Sequence, residues 1–321
     1  MELRQLRYFL AIVDNGSLSK AAARLYVAQS ALSHQIAKLE GELGTTLLYR
    51  SSKGVRITES GLAFYEHAQN ILQQVVNSRS VVAQHAADTP VGTVTLGMPQ
   101  SVSAVLALPL FLAARRELPR ITLQMNDELT DNVLGQLRQG KLNLALLYDY
   151  GQLQEFARKN VITEQMFLVW PAQDMRASAD SKVKLSALQT APLILPGAQY
   201  GVRQHIERTA AKHGFVFANI AAEINSLNIM KSAILAEIGA GVFPLSAVNV
   251  EIEQGKMRAQ EIIEPGIPRT IAICASRDIS MTKANRAVSK LIVRVVRRLC
   301  ESGEWPGALP IFHHNAYLVE S

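Results

Sequence analysis

The sequence predicts an α + α/β chain: a small helical unit closed by a short hairpin, one long helix, and a two-lobed α/β domain. Three observations predict it. Apolar residues recur every three or four positions through the first sixty residues and again over residues 59–88. From Val91 onward, short β-rich runs alternate with helical patterns. The chain has 321 residues, 48% hydrophobic and 19% charged, which is length enough for more than one buried core.

The elements follow in order. Leu6, Phe9, Leu10 and Val13 form an i, i+3, i+4, i+7 stripe, so residues 3–14 read as an amphipathic helix. "DNGS" stops it, and Ser17 caps the next, "SKAAARLY", whose alanines let another helix approach closely. After a break at residues 26–28, Leu32, Ile36, Leu39 and Leu43 mark a third helix in "VAQSALSHQIAKLEGELG". Two short helices across a tight turn are the sequence form of a helix-turn-helix. Gln29, Ser30, Ser33, His34 and Lys38 lie opposite Leu32, Ile36 and Leu39. Gln pairs bidentately with adenine, Ser and His reach base edges or phosphates, and Lys38, further along, suits the DNA backbone. The same periodicity also suits a helix whose polar side meets only water. "LLYRSSKGVRIT" reads as two strands around a Gly54 turn, a wing in which Arg50, Lys53 and Arg56 are placed for phosphates or a minor groove.

The order of residues adds more than the periodicity. "LRYFLAIVDNGSLSKAAARLYVAQSALSHQIAKLEGELGTTLLYRSSKGVRIT" resembles the N-terminal domain of LysR-type transcriptional regulators almost position by position. The small-residue helix, the A-Q-S-A-L-S block, the I-x-x-L-E-x-E-L-G run and the wing ending in Thr58 carry the likeness. It implies a winged helix-turn-helix over residues 1–58, with double-stranded promoter DNA as partner and Gln29, Ser30, Ser33 and His34 facing bases. Ser30 stands where many members have Pro, and His34 where many have Arg.

Thr58 can cap a long helix in which Tyr65, Ala68, Leu72, Val75, Arg79 and Val82 alternate steps of three and four, with Ile71 and Val76 widening the seam. Spacing alone leaves open that the helix packs on its own regulatory domain. The resemblance implies a linker over residues 59–88 that pairs with a second subunit in a homodimer or homotetramer. "HAADTPVG" then supplies a hinge.

In the region 91–300, "GTVTLGM", "RITLQMN" and "LNLALLY" are candidate strands, with helices near 101–116 and 130–139. "QMFLVWP", "APLILP" and "VFPL" begin a second series, with helices near 200–213 and 226–239, and "RTIAICAS" reads as a returning strand. The alternation predicts helices covering a largely parallel sheet in two lobes, 91–162 plus 268–300 and 163–267, with the chain crossing twice. A last helix, 282–299, buries Val288, Leu291, Ile292, Val295, Val296 and Leu299. In such sheets ligands bind beyond the carboxyl ends of strands, and anions favour helix N-termini. Three corners qualify: Gln100, Ser101 and Ser103; Tyr200 and Arg203; Asn225 and Ser226. Each serine is equally a helix cap, and Arg203 can simply pair with Glu207.

"GTVTLGMPQSVSAVLALPL" and "SLNIMKSAILAEIGAGVFPLSA" are similar to the effector domain of the same family, which has a periplasmic-binding-protein-like fold. The resemblance implies an effector in the cleft near Ser101, Ser103, Asn126, Thr130, Pro196, Tyr200, Arg203 and Ser226, and the hydroxyls and amides at the corners suit a carboxylate or other polar metabolite. Within the family, the wing and the "LEGEL" block are most like the branch containing nitrogen-assimilation control proteins. Residues 301–321, a tail with His313 and His314 whose Trp305, Phe312 and Tyr317 suit packing on a surface, lie outside the resemblance and receive no role.

The sequence offers no catalytic set. G-x-S-x-G, P-loop, G-x-G-x-x-G and H-E-x-x-H patterns are missing, and adjacent Asp127 and Glu128 diverge on an extended segment. Cys274 and Cys300 form neither a metal spacing nor a disulfide framework, so no cofactor or metal is expected. A charge of +6 is compatible with nucleic acid. The charged N-terminus is unlike a signal peptide and no apolar stretch reaches membrane-spanning length, so the expected location is the cytoplasm, with no membrane partner. The sequence thus reads as a promoter-binding regulator controlled by a small effector, with RNA polymerase a further expected partner. The alternatives are a DNA-bound regulator without effector, a solute receptor, which has no use for residues 1–88, and an α/β enzyme.

Overall fold

The computed structural model describes residues 1–51, 54–85, 89–176 and 180–311. It divides into two compact units, Met1–Ala86 with Arg138–Lys141 and the rest of the chain.

The first unit comprises α1 (Leu3–Asn15), α2 (Leu18–Leu25), α3 (Gln29–Leu43), β1 (Leu48–Ser51), β2 (Gly54–Ile57) and α4 (Glu59–His85). Local chemistry sets each boundary. Gln5 Oε1 accepts from Glu2 N at 2.7 Å at the start of α1, and Gly16 ends it with φ +61°. Ser17 Oγ accepts from Lys20 N, as the capping pattern predicts. Thr58 accepts from Gly61 N at 2.9 Å while donating to Thr46 O at 2.8 Å, so one hydroxyl starts α4 and ties down the approach to β1. The core gathers Leu6, Phe9 and Ile12 with Ala21, Leu32, Ile36 and Leu39. Leu10 and Val13, expected in the stripe, are only half-buried, because the facing helices centre the contact on Ile12.

The wing is held by backbone. β1 and β2 pair antiparallel from Leu48↔Ile57 to Ser51↔Gly54, and Val55 N donates to Gly16 O at 3.0 Å. A Cβ on Gly54 would lie 2.7 Å from that same carbonyl, and φ is +125° there, so both space and conformation require glycine.

The expected seam of α4 is partly used within the chain. Phe9 packs edge-on against Phe64 and Tyr65, with ring centroids 5.2 and 6.4 Å away, and Tyr65 donates to Asp14 at 2.5 Å. Ala68 is buried, and Ile71 and Leu72 pack against the same core. Val75 is half-buried and Val76 is exposed; the side chains of Arg79 and Val82 lie outside the described residues.

The second unit has two lobes. The first begins with β3 (Gly92–Pro99), α5 (Gln100–Glu117), β4 (Ile121–Glu128), α6 (Thr130–Arg138), β5 (Leu144–Tyr148) and β6 (Phe156–Gln165). The second holds β7 (Phe167–Pro171), β8 (Lys182–Lys184), β9 (Leu193–Leu195), α7 (Gly201–Ala211), β10 (Ile220–Glu223), α8 (Leu227–Leu235), β11 (Ala240–Phe243), α9 (Leu245–Glu253) and β12 (Met257–Ile263). The chain then returns through β13 (Pro268–Ser276), α10 (Lys283–Glu301) and β14 (Ala308–Pro310). The sheet orders are β14-β6-β13-β5-β3-β4 and β10-β9-β11-β7-β12-β8. Both are mixed rather than largely parallel. β3 pairs parallel with β4 and β5, but β13 runs antiparallel to β5 and β6, and β7 antiparallel to β11 and β12. A chain that leaves a lobe along one strand and returns along its neighbour must reverse direction.

The six apolar residues expected to bury along the last helix are all buried. Each such side chain contributes roughly 1.5–3 kcal/mol by leaving water. In the C-terminal segment β14 pairs with β6, and Trp305 is 2% exposed. Phe312, His313, His314 and Tyr317 lie outside the described residues.

Trp305 reaches the central polar cluster. Glu164, on β6, is 1% exposed and bound to Arg269, on β13, at 2.6 Å. Its carboxylate also accepts from Trp305 Nε1 (3.1 Å), Ser246 Oγ (3.3 Å) and Tyr148 Oη (3.3 Å). Glu164→Ala leaves a buried guanidinium without its counter-ion and is expected to cost about 3–5 kcal/mol in urea unfolding. Adding Arg269→Met should restore most of that loss. A double variant as unstable as the single would show that an orphaned charge is not the cause.

Candidate functional site

Two surfaces hold the candidate residues. On the first unit, α3 begins after Ala28, which offers no side-chain cap, so its first-turn amides and the positive end of its dipole face outward. Gln29, Ser30 and His34 are exposed there, and Ser33 is half-exposed. Ser19 donates to Gln29 Oε1 at 2.9 Å, which orients the amide. Arg50 reaches from the wing to donate to Ser33 Oγ at 2.7 Å and to Glu40 at 3.4 Å. Glu40 also accepts from Leu47 N (2.8 Å) and Leu48 N (3.1 Å), so one carboxylate joins α3 to the wing. Lys38 pairs with Glu2 at 3.5 Å, and Arg56 is exposed on β2. Lys53 lies outside the described residues. Sequence reading passed over Tyr26, which is 95% exposed in the left-handed turn leading into α3. Its only signal was the position of an aromatic in a tight turn.

On the second unit, a cavity of about 70 Å³ lies between the lobes. Ser101, Thr130, Pro196 and Tyr200 line it, as do Gln100 and Asn225 from the predicted corners. The other four candidates are placed elsewhere. Ser103 donates to Asp127 at 2.9 Å, and Asn126 donates to Gln136 at 3.4 Å. Ser226 caps α8 by accepting from Ile229 N. Arg203 is buried, donating to Pro196 O at 3.1 Å and pairing with Glu207, so it supports the cavity wall from behind. Tyr148, Glu128 and Arg269 also line the cavity and were missed. They come from the ends of strands, where alternation alone marks no side chain as functional.

The floor is a fixed polar network. The Ser101 and Tyr148 hydroxyls are 2.8 Å apart, and Arg269 donates to Ser101 at 3.3 Å while its guanidinium lies 3.8 Å over the Tyr148 ring. Burial raises the Tyr148 phenol well above its usual range and Tyr150 to about 12, so both are neutral. Burial works against the Arg269 charge, but Glu164 and the two tyrosines outweigh it and keep the group protonated. Across the hinge, His205 on α7 stacks on Tyr150 at 4.7 Å, with Nε2 2.9 Å from Pro268 O. Among the described residues no cluster of three His, Cys, Asp or Glu is arranged to hold a metal, and no helix is long and apolar enough to cross a membrane.

Comparison with known proteins gives a consistent result. Residues 3–62 match the family described as "Bacterial regulatory helix-turn-helix protein, lysR family", and residues 87–297 match the "LysR substrate binding domain". The nitrogen assimilation regulatory protein nac of Klebsiella aerogenes is 30% identical over 299 residues, 93% of this chain and 96% of that protein. A full-length OxyR variant from Pseudomonas aeruginosa is similar in fold, with a TM-score of 0.66 at 23% identity over 92% of this chain and 95% of that one. Full-length CbnR complexed with its target DNA gives 0.65 at 21% identity, over 93% and 99%.

Burial lowers the His205 pKa from its ordinary 6.5, so the unfolded chain takes up this proton at a higher pH than the folded chain. Stability should therefore fall as pH drops below about 6.5. In urea melts at pH 7.5 and 5.5, the wild type should lose more stability than His205→Phe, which keeps the ring on Tyr150. Equal losses would remove His205 from the acid response.

Proposed function

The chain belongs to the LysR family of bacterial transcriptional regulators, and from that premise we propose that it reads promoter DNA through α3 and the wing while a small molecule between the lobes tunes the binding. As a member of the family it is a DNA-binding transcriptional regulator with a helix-turn-helix and an effector-binding domain. The observation that carries the residue-level reading is the exposed, uncapped start of α3 bearing Gln29, Ser30 and His34. A major groove receives such a helix by its N-terminal turn. In this reading Gln29 and His34 meet base edges, and Ser30 and Ser33 meet bases or sugar-phosphate. Lys38, Arg50, Lys53 and Arg56 meet phosphates.

The exposed part of α4, with Val76, suits pairing with a second copy. Paired subunits place two α3 helices on an interrupted palindrome, and two dimers on neighbouring sites make a tetramer. The effector acts if it binds one lobe arrangement more tightly than another and so changes the subunit angle and the DNA bend. We place the protein in the cytoplasm, with RNA polymerase as the partner that reads the outcome.

Fluorescence anisotropy on DNA from upstream of its own gene, against scrambled DNA at two salt concentrations, tests the reading. Specific DNA should be preferred by about a thousandfold or more. Gln29→Ala should lose discrimination by about 1–3 kcal/mol, whereas Arg56→Ala should weaken both DNAs alike and reduce the salt slope by about one. Equal effects of Gln29→Ala on both DNAs would take the base-reading role from that residue.

A further inference from the structure

We propose that the cavity between the lobes selects an uncharged small molecule, and that Asp131 is the residue that keeps free carboxylates out. This rests on the effector reading above and gives it a ligand class. An anionic ligand in an α/β cleft is drawn by helix N-termini and by cations at strand ends. Here the chain's own side chains engage the first amides of two helices that start at the cleft, α7 and α8, whereas α5 and α9 start after Pro99 and Pro244 with no side-chain cap. Gly201 N, the first amide of α7, donates to Asp131 Oδ2 at 2.9 Å. Asp131 also lies in the first turn of α6, so one carboxylate serves two helix N-termini, one from each lobe. Leu227 N, at the start of α8, donates across the cleft to Gln100 Oε1 at 2.9 Å. Arg269, among the described residues the one cation lining the cavity, is bound to Glu164 at 2.6 Å.

An entering carboxylate would therefore meet negative charge. Glu128 is on the wall, Asp131 is next to the lining residue Thr130, and the charge of Arg269 is already offset. Pro99, Leu129, Met166, Leu227, Met230 and Phe243 make much of the wall apolar, and Gln100, Thr130, Tyr200 and Asn225 add polar groups without charge. An ammonium group would lose its water there, and Glu128, which already accepts from Gln136 Nε2 at 2.7 Å, is only a partial replacement. A neutral amide or carbonyl fits better. With the Tyr148 proton given to Glu164 and Ser101 accepting from Arg269, the Ser101 hydroxyl proton is the donor the pair can turn to it, and the Tyr148 oxygen is the acceptor. Within the carboxylate or other polar metabolite expected from sequence, the uncharged kind is favoured, because side chains from across the cleft take up the first amides of α7 and α8.

Met166 and Met230 line the cavity, so methyl resonances of the full chain labelled with [13C-methyl]methionine report occupancy directly, once Met166→Leu and Met230→Leu have assigned them. Two triads serve as probes: butyramide, butyrate and butylamine, and phenylacetamide, phenylacetate and phenethylamine. In the wild type the amides should shift both resonances at concentrations where the acids and amines do not. Asp131→Asn keeps an oxygen facing Gly201 N but removes the charge. It should bind the acids at least about tenfold more tightly than the wild type, the direction expected when a nearby like charge is lost, with the amides changed less than threefold. Acids or amines binding the wild type as well as the amides would overturn the ligand class. Acid affinity unchanged in Asp131→Asn would overturn the role of Asp131. If no probe moves either methionine in either protein, the cavity takes no small molecule and the effector reading itself fails, while the DNA measurements stand apart.

Discussion

The Glu164–Arg269 pair is the constraint on which the second unit depends. Its members sit on β6 and β13, the two strands through which the chain leaves and re-enters the first lobe. Two charges buried together offset their lost hydration only if the geometry is good and the remaining lone pairs are satisfied. Here Trp305, Ser246 and Tyr148 satisfy the carboxylate, and they come from the C-terminal segment, the second lobe and the first lobe. A single carboxylate therefore fixes the hinge strands and draws the last strand onto the sheet. It also sets the cavity floor, because Arg269 and Tyr148 are both part of it.

A similar arrangement governs the first unit. Glu40 binds two wing amides and the wing's Arg50, while Arg50 holds Ser33 on α3. Gly16 ends α1 and presents its carbonyl to Val55. The wing is thus tied to α3 by a charge and to the α1–α2 turn by backbone, so side-chain and main-chain bonds fix the hairpin against the helix. The base readout proposed above would depend on that arrangement, since a misplaced donor loses most of its hydrogen bond.

In the cleft, hydrogen bonds between lobes do two jobs. Asp131 with Gly201, and Gln100 with Leu227, satisfy amides that would otherwise be orphaned at helix starts, and they also join the lobes. The groups that make the cleft a receptive place in principle are the same ones that close it. A ligand enters by competing for polar positions or by filling the apolar space beside them. Which of these it does decides its chemistry.

The sequence by itself determined the local elements and their caps. Helix periodicity, the Ser17 and Thr58 caps and the wing strands were legible because each depends on residues only a few positions apart. The face of α3 bearing Gln29, Ser30 and His34 was legible for the same reason, since one helix turn decides which side is polar. What only the tertiary structure decided involves distant partners. β6 and β12 mix charged, polar and apolar residues without a clean alternation and were missed as strands, since their pairing partners lie far along the chain. For Arg203 and Ser226 the sequence left a ligand role and a local one open, and the fold takes the local one: Arg203 is turned to Pro196 O and Glu207, and Ser226 caps α8. Arg269 is 105 residues from Glu164, and Gln100 is 127 from Leu227. No local pattern encodes such a meeting, because burial in the folded chain, not sequence spacing, sets which polar groups must find each other.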